Sequence, residues 1–231
     1  MPLADDLRAL ADRTQRELDS VHDFFEHSKI IWRTFQVFVE EGHKVVAENL
    51  ATGTSIDQDG LIALAPQYTR EYLAAFTFRQ FISTFEVFLF DFLYRLLLHN
   101  PWQFGKSQVE FEVILKASDR DDVIAQVLWK QLNDLKFKSV RDWFLALKKA
   151  VKLDCPNDEE IEVLSEVKAT RDLLEHNAGV VNEVYLRKAG KRTRYAVGDH
   201  VELDDSYHLE SWKLIKKIVG EVTGSAITKL E

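Results

Sequence analysis

Residues 76–99 read FTFRQFISTFEVFLFDFLYRLLLH, and this stretch decides the fold. Tyr72, Phe76, Phe81, Phe85, Phe88, Phe92 and Leu96 give it a heavily aromatic face, which predicts a long helix set into a core. Its most apolar part, residues 81–98, carries Glu86, Asp91 and Arg95. A span with those charges reads as a buried core helix rather than a membrane crossing. Asn100-Pro101 closes it, because the residue ahead of a proline is pushed out of the helical region. Pro66 sits near its start.

Upstream, Leu3, Leu7, Leu10, Leu18, Val21 and Phe25 predict a first helix, and Ile30, Ile31, Trp32, Phe35, Phe38 and Val39 a second that runs to Gly42 or beyond. Residues 51–60, ATGTSIDQDG, read as a polar loop. Downstream, residues 107–117 predict another helix, Asp119 or Asp121 caps the next as far as Leu135, and Ser139 caps 140–151. The break at 154–157 is followed by Asn157 with Glu160, a capping box that opens a helix reaching Ala178. Gly179 suits a left-handed residue just past that end. Residues 187–203 read as a basic, strand-like excursion, and Asp205 caps a last helix over 206–230. The sum is an all-α helical bundle, with residues 1–65 as an N-terminal helical extension on the same core as residues 66–231.

Composition agrees. The chain of 231 residues is 46% hydrophobic and 29% charged, with only 9 Gly and 4 Pro, so long helices are favoured over many turns. A formal net charge of −8 excludes coating nucleic acid by bulk charge, and any such contact needs a local basic patch. One cysteine, Cys155, excludes an internal disulfide and a cysteine-rich zinc site and fits a reducing compartment. Residues 1–13 lack the apolar run of a secretory signal, so the expected location is cytoplasmic with no membrane partner.

The segment with chemical promise is residues 168–179, KATRDLLEHNAG. With Arg171 at zero on a wheel of about 100° per residue, Glu175 falls at about 40°, Asp172 at about 100° and His176 at about 140°. Val163, Val167, Leu174 and Ala178 take the opposite arc. Arginine offers a permanently charged planar fork to phosphate oxygens, and histidine exchanges protons near neutrality. Such a pair suits attack of an RNA 2′-hydroxyl on its neighbouring phosphate, without a metal and with DNA resistant. Two residues five apart diverge by about 140° around the helix and about 7.5 Å along it, which leans towards a cleft shared by two copies.

Arg171-Asp172-Leu-Leu-Glu-His176 near the end of a late helix resembles the motif of HEPN-superfamily ribonucleases: Arg, a polar residue, three more residues and His. The continuation His176-Asn177-Ala-Gly179-Val-Val-Asn182, with Tyr185-Leu186 after it, is similar to the HEPN branch found with bacterial toxins and defence genes. The Gly198-Asp199 turn, the terminal helix and the helix around residues 81–89 also resemble such domains, and the likeness covers residues 66–231. The resemblance implies a metal-independent endoribonuclease acting as a homodimer, a toxin or antiviral effector whose activity a neutralising or regulatory protein controls. Arg171 would bind and polarise the phosphate, and His176 would move the proton or stabilise the leaving group. Asp172 stands where the family often has Asn. A carboxylate four residues before His176 can orient the imidazole, and it also repels phosphate.

Arg187, Lys188, Lys191, Arg192 and Arg194 put five cations within eight residues with no acid among them, a candidate RNA-backbone groove or simply a solvated loop. Glu175 is a candidate partner of Arg171 at i, i+4, Asn177 a local cap, and Gly179 a conformational residue. Tyr185 or Tyr195 is a candidate for stacking on a base or for the core. No cofactor is implied: of seven histidines, His22 and His27 lack metal-site spacing, and there is no phosphate-binding glycine loop. Two other readings stay open: a catalytically silent HEPN module that scaffolds RNA or protein, and a purely structural oligomerisation protein.

Overall fold

A computed structural model describes residues 2–104 and 108–230. The fold is all-α with one small antiparallel hairpin among the described residues. The first part of the chain forms α1 (Pro2–Glu40), β1 (Val46–Asn49), β2 (Thr54–Asp57), α2 (Gln58–Pro66), a π-helical stretch (Gln67–Leu73) and α3 (Ala74–His99). Then come α4 (Phe111–Lys116), α5 (Arg120–Lys136), α6 (Val140–Val151), α7 (Asp158–His176), α8 (Glu183–Ala189) and α9 (Asp205–Leu230).

Helix α3 is the axis of the core. Phe78, Phe81, Phe85, Phe88 and Phe92 are fully buried, and α1, α5, α6, α7 and α9 pack around it. Tyr72 and Phe76, expected on the same stripe, are instead 60% and 56% exposed. The step of five from Phe76 to Phe81 carries a side chain about 140° round a helix, whereas Phe78, three residues before Phe81, lands on the buried face. Leu7, Leu10 and Leu18 of α1 share this core with Ile215, Ile218 and Val222 of α9, so the N-terminal segment is part of the bundle. The division drawn at residue 65 falls inside an unbroken helical run from Gln58 to His99.

Several predicted boundaries move. The two helices expected before residue 42 are one, because residues 26–29 contain no Pro or Gly to break it; what changes after Phe25 is burial. The expected polar loop 51–60 holds the hairpin turn, β2 and the start of α2, capped by the Asp57 carboxylate on the Gly60 amide. Pro66 ends α2 rather than opening α3, since it has no N–H to donate and the helix widens directly after it. The helix expected over 107–117 is only α4, and residue 107 lies outside the described residues. The capping box at Asn157 and the cap at Ser139 form as read, the latter closed into a full box by Asp142, and Asp119 rather than Asp121 caps α5. Asp204, not Asp205, caps α9: its carboxylate accepts the Tyr207 amide at 2.8 Å, while Asp205 pairs with Lys29 at 2.7 Å.

The basic excursion is not strand-like at its start. Asn182 caps α8 through the Tyr185 amide, so Arg187 and Lys188 lie on a helix. Only Val180 and His200 form a bridge, with Gly179 and Val181 hydrogen-bonded to residues 198–201. Among the described residues no helix is long and apolar enough to cross a membrane.

Candidate functional site

Helix α7 ends at His176, two residues short of the expected stop. The Asn177 and Gly179 amides both donate to the Leu173 carbonyl, at 2.9 and 3.0 Å. Ala178 and Gly179 are both left-handed, with φ 49° and 77°. A side chain at 179 would be strained by that backbone conformation alone, which is the reason for glycine there. The reversal swings the chain back so that α8 lies beside the end of α7.

Between α7, α8 and the α5–α6 turn lies an open cleft of about 770 Å³. Arg171, Asp172, His176 and Asn177 line it, with Arg187 and Lys188 from α8. Lys136 comes from the last position of α5, Lys138 from the α5–α6 turn, Lys168 from α7 and Glu86 from α3. Six cations and two carboxylates therefore share one cleft in a chain of net charge −8. That is the local basic patch an acidic protein needs to hold a polyanion.

The motif residues differ in freedom. The Arg171 side chain is 14% exposed, and its Nη2 meets the Glu86 carboxylate at 2.5 Å. Its Nε is buried without a hydrogen-bond partner among the described residues, 3.6 Å from Asp172. Asp172 accepts from Lys168 Nζ at 3.1 Å and Lys188 Nζ at 2.9 Å, which ties α8 to α7. Burial pushes its carboxyl up, but the two ammonium groups outweigh burial and hold it below the usual carboxylate range. His176 is exposed and makes no side-chain hydrogen bond or ion pair among the described residues, so Asp172 does not orient it in this state. Glu175, expected to partner Arg171, pairs instead with Arg79 of α3 at 3.2 Å.

The five basic residues after the motif split. Arg187 and Lys188 line the cleft, and Lys191 stays exposed outside it. Arg192 pairs with Glu159 at 2.7 Å, and the Arg194 guanidinium lies over the Tyr207 ring at 3.7 Å. Tyr185 is core: its hydroxyl donates to the buried Glu166 carboxylate at 2.9 Å, as do Thr170 at 2.9 Å and Tyr207 at 2.8 Å. This clamp fixes α8, and hence Arg187 and Lys188, against α7. Tyr195 donates to the Glu202 carbonyl rather than standing free.

Lys136, Lys138, Lys168 and Glu86 were not singled out from the sequence. Lys168 is one helical turn before Asp172, a spacing that signals it; Glu86 and the two α5–α6 lysines are brought in by tertiary packing alone. Of the other histidines, His22 stacks on Trp212 with centroids 4.2 Å apart, and His208 is buried against Thr77 Oγ1 at 2.8 Å. Burial drives the His208 ring down to about 3, so it stays neutral at physiological pH. Among the described residues no three His, Cys, Asp or Glu are grouped to hold a metal.

No family model matches the chain, and no curated protein or solved structure matches it either.

Proposed function

We propose that the cleft binds RNA and cleaves it by attack of a 2′-hydroxyl on the adjacent phosphorus, without a metal. One observation carries this reading: Arg171 and His176 line one basic cleft of an acidic chain, the guanidinium largely covered and the imidazole open. The 2′-oxygen forms a new bond to phosphorus, and the bond to the 5′-oxygen breaks. The products are a 2′,3′-cyclic phosphate and a 5′-hydroxyl. His176 carries the proton from the 2′-hydroxyl to the departing 5′-oxygen, and Arg171 with Lys168 and Lys188 balances charge on the phosphorane. Both residues reach the cleft from one chain; the homodimer implied by the resemblance would add a second copy of these cations across a two-fold axis. A toxin or antiviral role with a controlling partner rests on the resemblance of the motif alone.

The Arg171–Glu86 ion pair favours a second reading, an RNA-binding module that does not cleave, because a carboxylate holds the fork that a phosphate needs. One experiment separates the two. RNA is incubated in EDTA with the wild-type chain, Arg171→Ala and His176→Ala, with DNA of the same sequence as control. Cleavage to cyclic phosphate that survives chelation, spares DNA and drops at least about 100-fold in both variants supports the nuclease. Binding without cleavage by any of the three gives the second reading, and no binding overturns both.

A further inference from the structure

On its α5–α6 side the cleft is lined by Lys136-Phe137-Lys138. At 92% exposed, Phe137 is the most exposed Phe, Tyr or Trp side chain among the described residues, and in sequence it stands between two lysines that line the cleft with it. The backbone beneath it is tied by hydrogen bonds. The Leu135 carbonyl accepts the Phe137 amide, the Lys138 amide at 2.9 Å and the Trp143 indole N–H at 2.8 Å. Ser139 and Asp142 then close a reciprocal cap that starts α6. Phe137 is thus the outward residue of a turn pinned on both sides, and its ring is held out over the basic cleft instead of collapsing onto the core.

We propose that Phe137 is a stacking platform for an unpaired base, with Lys136 and Lys138 on the flanking phosphates, so that the substrate class of the cleft is single-stranded RNA. The inference rests on the RNA reading of the cleft above. An exposed aromatic between cations recognises single strands because a splayed base offers its π-face while the backbone stays in reach of the ammonium groups. A duplex hides its base faces and offers phosphate alone. Arg187 and Lys188 line the same cleft, so a strand seated on Phe137 shares it with these cations and with Arg171 and His176.

The test uses the full chain and an uncleavable probe, a fluorescein-labelled 2′-O-methyl oligonucleotide of about twelve nucleotides, single-stranded or annealed to its complement. The wild type binds the single strand more tightly than the duplex. Phe137→Ala weakens single-strand binding by roughly tenfold and leaves duplex binding unchanged, while Phe137→Trp restores the affinity. Lys136→Ala with Lys138→Ala flattens the salt dependence by about two phosphate contacts. Unchanged single-strand affinity in Phe137→Ala, or equal loss for both probes, overturns the platform and leaves the ribonuclease reading intact. A wild-type dimer that Phe137→Ala turns into a monomer with wild-type affinity makes this ring a protein contact and also overturns it. If the wild-type chain binds neither probe and cleaves no RNA, the platform falls together with the reading it rests on.

Discussion

Glu166 and Asp172 stand on the same helix, and each fastens α7 to α8, yet they are built in opposite ways. Glu166 is buried, and its donors are hydroxyls of Thr170, Tyr185 and Tyr207. Asp172 sits at the cleft wall, and its donors are the ammonium groups of Lys168 and Lys188. Neutral donors satisfy a buried carboxylate without bringing in a second buried charge, and nothing outside competes for them. Ammonium groups at a wet wall are held more loosely, and another anion can take them. The first arrangement fixes a scaffold; the second stores cations where a phosphate can collect them.

The largest test of this contrast is Glu166→Ala. It strands three hydroxyls and opens a void, at a cost of roughly 3 kcal/mol. For a chain of this size that lowers Tm by roughly 6–12 °C, read by circular dichroism. A fall under about 3 °C would show that the clamp carries no weight.

The clamp also predicts an alkaline weakness. Burial, and then the Glu166 charge, push Tyr185 up to about 12, and burial and the same carboxylate push Tyr207 well above the ordinary tyrosine value of 10. Below pH 10 these phenols are protonated in both states. As the pH climbs from 10 towards 12 the unfolded chain releases protons that the fold retains, so stability falls with rising pH across that window. In a tyrosinate absorbance titration, two of the six tyrosines should ionise late, together with loss of the helical signal. Six phenols titrating together with the helices intact would refute the buried network.

How much of this was legible follows the range of each signal. The caps at Ser139, Asn157 and Asp119 are local exchanges within three or four residues, and the sequence shows them directly. The Arg171–His176 motif lies on one helix and is visible for the same reason. Glu86 is not, because its role depends on α3 passing behind α7, a fact no spacing encodes. The strand-like start expected for residues 187–203 gives way to α8 because Asn182, upstream of the cations, caps the Tyr185 amide. The break expected in α1 mistook an end of burial at Phe25 for an end of helix.

The smallest effect on stability, and the sharpest on function, belongs to Asp172→Asn. The side chain is 18% exposed, Lys188 is solvated once released, and the more covered Lys168 keeps the Glu86 carboxylate at 3.6 Å, so the fold loses only about 1 kcal/mol. Removing one of two carboxylates from a cleft of six cations frees Lys168 and Lys188 for phosphate. RNA affinity at low salt should rise several-fold, and the salt dependence should steepen by about one to two phosphate contacts. Fluorescence anisotropy over a salt series reads both quantities on the same sample. Weaker binding in Asp172→Asn would mean that Asp172 holds the lysines in place for the ligand rather than against it. A Tm loss as large as that of Glu166→Ala would mean that the ionic tie, like the hydroxyl clamp, is scaffold.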